Sequence, residues 1–109
     1  MTKVVIEPGA CALKAVVTAE SEDQQEVRLH VSSGCKAVQE MMKDLGDAFD
    51  AYELCLVKPG MGPLYEYAAE HFPAHACCPV IVGITKCVEA ECSLALKRDV
   101  SICFVNDEG

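Results

Sequence analysis

The chain has 109 residues, of which eight are cysteine, three histidine and none tryptophan, so thiols dominate its reactive side chains. That length fits a single domain spanning 1–109, large enough to bury a core and small enough for a bound metal to add noticeably to its stability. Nine Lys and Arg against 17 Asp and Glu leave a formal charge of −8 with no basic cluster, which argues against nucleic acid and anionic membrane surfaces as partners.

Thr2 to Glu7 is a short β-rich run that ends at Pro8-Gly9. From Leu13 to Ala19 the apolar residues Leu13, Ala15, Val17 and Ala19 share one parity, the pattern of a half-buried strand. Ser21 to Gln25 is a polar turn, after which Val27, Leu29 and Val31 alternate with Arg28, His30 and Ser32 in a third strand. Together these predict an antiparallel meander with one buried face.

Ser32-Ser33-Gly34 precedes Cys35, Val38, Met41, Met42 and Leu45, a three-and-four spacing that predicts an amphipathic helix stopped near Gly46. Residues 47–58 fit either a strand or a helix before Pro59-Gly60-Met61-Gly62 interrupts them. Pro63 at a first helical position leads Leu64, Tyr67, Ala68 and Phe72 into a second helix. Pro79 opens a longer one from Val80 to about Leu96, with Ile81, Ile84, Val88, Cys92 and Ala95 on one face. Val100, Ile102 and Phe104 alternate as a last strand. The expected fold class is α+β, a three- to four-stranded antiparallel sheet in β-β-β-α-α-α-β order with helices packed on one face.

The cysteines divide by position. Cys92 and Cys87 lie on the long helix, Cys103 inside the last expected strand and Cys55 in the LCLV run, where a thiol behaves as a small hydrophobe. Cys11 follows Pro8-Gly9-Ala10 at a turn, Cys35 opens a helix, and Cys77-Cys78 come directly before Pro79 at the start of another. Helix N-termini carry partial positive charge and unpaired N–H groups that favour thiolate, the form that binds metal or attacks as a nucleophile. His75 stands beside the last pair, whereas His30 falls on the polar face of strand three and His71 near a helix end.

GAC, a meander, SSGC opening a helix and HACCP opening a late helix together resemble the U-type iron–sulfur scaffold family, NifU- and IscU-like, over roughly residues 4–95. Cys11 and Cys35 are 24 residues apart, and Cys35 and Cys78 are 43 apart. The resemblance implies a SufE/NifU-like fold and metal ligands drawn from Cys11, Cys35, His75, Cys77 and Cys78. The implied cofactor is an iron–sulfur cluster or zinc, and the implied partners are a cysteine desulfurase and a cluster-accepting protein. Where that family follows its first cysteine with Gly-Asp, this chain has Ala12-Leu13, and in place of an adjacent His-Cys pair it has His75-Ala76-Cys77-Cys78.

Zinc and iron–sulfur centres both accept tetrahedral thiolate and imidazole ligands, which these five residues supply. A metal-binding scaffold or carrier is therefore the leading expectation. The alternatives are a persulfide sulfur-relay enzyme using Cys35 or Cys77-Cys78, and a structural zinc or interaction module. No Cys-His-Asp order or phosphate loop points to a named reaction, and no catalytic residue is assigned. The first residues, MTKVVIEPG, lack the apolar core of a secretory signal, which makes the reducing cytoplasm the expected compartment.

Overall fold

The computed structural model describes residues 1–106. Three strands, β1 (Thr2–Ile6), β2 (Ala15–Glu20) and β3 (Glu26–Ser33), form the expected meander, and a short β4 (Ala48–Asp50) pairs with β3. All pairings are antiparallel and the strand order is β1-β2-β3-β4. Ala15, Val17 and Ala19 of β2 and Val27 and Leu29 of β3 are buried, while Arg28 and His30 are exposed, as period-2 alternation requires when one face is covered.

The cover is helical. Helix α1 (Lys36–Leu45) packs on β3 through Val38 and Met41. Helix α4 (Val80–Glu91) packs on β1 and β2 through Ile81, Ile84, Cys87 and Val88. Between them in sequence lie α2 (Ala51–Cys55), which packs on α4, and α3 (Pro63–His71), which packs on α1. The result is the expected α+β two-layer domain. Among the described residues no helix is long and apolar enough to cross a membrane.

Three expectations need correction, and one open reading is resolved. Residues 47–58 are neither wholly strand nor wholly helix: Ala48–Asp50 completes the sheet, and Asp50 then caps α2 by accepting from Tyr52 N–H at 2.8 Å. Helix α4 ends at Glu91, not near Leu96, because Ser93 adopts a left-handed φ of 59° and Leu94 N–H turns back to Glu89 C=O at 2.8 Å. Ala95 is accordingly exposed instead of lining the helix. Strand β2 starts at Ala15, two residues later than the alternation suggests, because Ala12 breaks the extended chain with a φ of 58°.

The last correction concerns Val100, Ile102 and Phe104, which form no strand. They are exposed, Ile102 at 93% and Phe104 at 106%, and so is Cys103, which is therefore not a packing residue. Alternation alone does not make a strand; a neighbouring strand must supply the ladder. The observed order is β-β-β-α-β-α-α-α, with the fourth strand inserted after α1 and not appended at the end.

Candidate functional site

The sheet register fixes which segments share an end. Ile6 pairs with Ala15 and Ala15 with Ser33, so the β1–β2 turn and the β3–α1 junction leave the sheet side by side. A Cβ added to Gly34 would lie 3.3 Å from Leu13 Cδ2, so the turn folds directly over that junction. Helix α4 begins at the same end, since a Cβ on Gly83 would collide with the Ile6 side chain. Its far end lies beside Thr2, whose hydroxyl donates to Glu91 Oε1 at 2.7 Å. Helix α4 thus runs antiparallel to β1, and the segment before it, with His75, Cys77 and Cys78, reaches the end of the sheet where Cys11 and Cys35 stand.

Each thiol is held differently. Cys11 is exposed in a turn closed by Ala12 N–H to Gly9 C=O at 3.0 Å and Lys14 N–H to Ala12 C=O at 3.1 Å. Cys35 is the N-cap of α1, half-buried against the core; its backbone N–H donates to Ser33 Oγ at 3.0 Å, and its side chain caps nothing. Cys78 is half-buried against the core, while Cys77 and His75 are exposed. Cys77 Sγ and His75 Nε2 are 3.3 Å apart, within hydrogen-bonding range for sulfur. Sequence spacing alone did not show that His75 pairs with Cys77 and not with Cys78. The turn at 76–77 between α3 and α4 sets that choice.

Among the described residues, no three His, Cys, Asp or Glu side chains converge as ligands of one ion. Among the five candidate ligands, His75 and Cys77 are in contact. Their separation is close to the roughly 3.5 Å expected between a sulfur at ~2.3 Å and a nitrogen at ~2.0 Å from a shared tetrahedral ion. The donors are of the soft type that zinc and iron–sulfur centres take, so the residues suit such a group in chemistry, and the loops that carry them are what set its geometry.

Three further thiols belong to the core. Cys87 is fully buried and donates to Thr2 C=O at 3.3 Å; burial first, then the Glu91 charge, push its thiol up to about 11. Cys55 reaches Thr85 C=O at 3.7 Å and is pushed up to about 12, by burial and then by Glu89 and Cys92. Cys92 is buried at the end of α4, and burial again raises its thiol above the usual range. In all three the surroundings favour the neutral thiol. A surface depression of about 440 Å³ lined by Asp23, Glu26, Phe49 and Asp50 lies at the far end of β3 and contains no cysteine.

The fold is a small α+β domain in which three cysteine-bearing segments leave one end of the sheet and Cys87 and Cys92 are buried in the core. The chain belongs to DUF6951, a family of unknown function, whose model matches residues 2–104. No curated protein and no solved structure matches it.

Proposed function

We propose that this protein is a metal-binding carrier that takes a soft metal centre, a zinc ion or an iron–sulfur cluster, on Cys11, Cys35, His75, Cys77 and Cys78. The observation that carries this reading is the gathering of three cysteine-bearing segments at one end of the sheet, where His75 and Cys77 already touch. When bound, such a centre supplies a thiolate-held unit that can be received and handed on. The chain's own part is to present the ligands. Cys35 is fixed by the helix it caps, while Cys11 and the 72–79 segment ride on exposed loops that can close on a ligand and reopen.

Ala12 adds support from the backbone. It follows Cys11 where the resembled scaffold family carries glycine, and it sits at φ 58°, a conformation glycine adopts freely and alanine only under strain. An open, loop-borne ligand set suits transfer better than permanent structural zinc, whose sites are closed and pre-formed. A cysteine desulfurase or a cluster acceptor would then be the natural partner.

One observation favours a second reading. A thiol in contact with an imidazole is the arrangement that activates cysteine, so His75 would take the Cys77 proton and Cys77 would attack the outer sulfur of a donor's persulfide. The new S–S bond leaves a persulfide on Cys77 and the donor's thiolate, which accepts the proton back. Metal analysis of anaerobically purified protein separates the readings. About one zinc or cluster per chain, lost in Cys35→Ser, supports the carrier. Metal-free protein with one fast-reacting thiol at Cys77, slowed in His75→Ala, supports sulfur relay.

A further inference from the structure

The segment after α4 is the least satisfied part of the molecule. Val100, Ile102, Phe104 and Val105 are 63%, 93%, 106% and 86% exposed, and they follow Leu96 at 80%. Scattered apolar residues are ordinary on a surface; a consecutive run with β-forming composition and strand-like alternation is not. The long axis of the molecule is 51 Å against 30 and 25 Å for the others, and its radius of gyration, 14.1 Å, exceeds the roughly 13 Å expected of a compact chain of this length. The family match runs through Phe104, so this segment is part of what defines the family.

The chain also carries the complement. Strand β1 is an edge: among the described residues it pairs with β2 alone, leaving one row of backbone N–H and C=O groups without a neighbouring strand. Such an edge templates the addition of an extended segment. Five residues of β1, Thr2–Ile6, match the six of 100–105 in length. Val5, on the outer face of β1, is 54% exposed and offers an apolar side chain to a new neighbour.

We infer that residues 100–105 of one copy add as a fifth strand to the β1 edge of a second copy, and that the reciprocal exchange makes a two-fold symmetric dimer. The contact is isologous: each copy gives one strand and accepts one, so the exchange closes at two. Val100, Ile102 and Phe104 share a parity and so lie on one face of the added strand.

The test is the oligomeric state of the full chain under reductant, measured by sedimentation equilibrium from micromolar to millimolar concentration, with amide exchange on the same samples. The expected result is a dimer whose 100–105 amides and β1 edge amides gain protection together as concentration rises. Ile102→Asp/Phe104→Asp should raise the dimer dissociation constant about 100-fold or more. Both side chains are fully exposed in the single copy, so this variant keeps the circular dichroism of the folded domain. A wild type that stays monomeric, a monomer whose own tail amides are protected, or a dimer unchanged by the double substitution would each overturn the inference. Metal content does not enter, so the dimer and the carrier reading stand or fall separately.

Discussion

Burial divides the thiols more sharply than sequence position does. Cys11, Cys77 and Cys103 face solvent, Cys35, Cys55 and Cys78 are half-buried, and Cys87 and Cys92 are buried. Alkylation followed by mass spectrometry should modify the first three rapidly, the next three more slowly, and the last two only at the rate of unfolding; a Cys87 that reacts alongside Cys11 would contradict this. Cys87→Ala removes a buried sulfur and a hydrogen bond to Thr2 C=O, so urea denaturation should show a loss of about 1–3 kcal/mol with metal content unchanged. The raised thiols also set an alkaline limit. Their neutral form is favoured in the fold, so this stability is intact below the ordinary thiol value of 9.0 and is lost as pH climbs from there towards about 12. Of these positions, Cys87 and Cys92 were legible as core from helical spacing, whereas Cys103 was misread because its neighbours alternate like a strand that has no partner among the described residues.

Single contacts decide how the elements are clamped together. Glu91, at the end of α4, accepts from Thr2 Oγ1 at 2.7 Å and Ser21 N–H at 3.1 Å and faces the Met1 ammonium at 3.6 Å. Burial disfavours its charged form, yet these donors outweigh burial and hold its carboxyl below the usual range. A depressed carboxyl stabilises the fold above its unfolded value and stops doing so as pH falls through the folded one. Glu91→Gln should therefore lower stability by about 1–2 kcal/mol at neutral pH, and urea melts should show the difference from wild type closing in acid. At the other end of the same helix, Gly83 lets α4 approach Ile6. Gly83→Ala gains about 1 kcal/mol in helix propensity and loses about 1–3 kcal/mol to overpacking, and pairing it with Ile6→Val should recover part of the deficit. The meander, α1 and the starts of α3 and α4 were readable because each combines periodicity with Pro, Gly or Ser punctuation. Strand β4 was not, since three residues cannot display a period of two, and its connection to α2 through Asp50 mixes both signals. The exit from α4 was hidden because it turns on Ser93 in a conformation that serine rarely takes.

At the scale of the whole molecule, topology does what no local motif could. The segments that carry Cys11, Cys35 and Cys78, 24 and 43 residues apart in sequence, leave the same end of the sheet because the meander returns β3 to the β1–β2 turn and α4 starts there. Sequence spacing suggested that shared end and its ligand set, and the loop conformations that would complete it lie beyond what periodicity encodes. If a metal joins three segments, its binding free energy adds to folding, about 10 kcal/mol or more in small zinc domains. A strong chelator should then lower the melting temperature of metal-loaded wild type by many degrees and leave Cys35→Ser unaffected. The most direct measurement is an anaerobic cobalt titration, followed by the sulfur-to-metal charge-transfer band, of wild type, Cys11→Ser, Cys35→Ser, Cys77→Ser/Cys78→Ser and the core control Cys87→Ala. The account predicts saturation at one ion per chain in wild type and Cys87→Ala, with weakened or lost binding in the other three. A band that persists in all three, or that is lost only in Cys87→Ala, would contradict it.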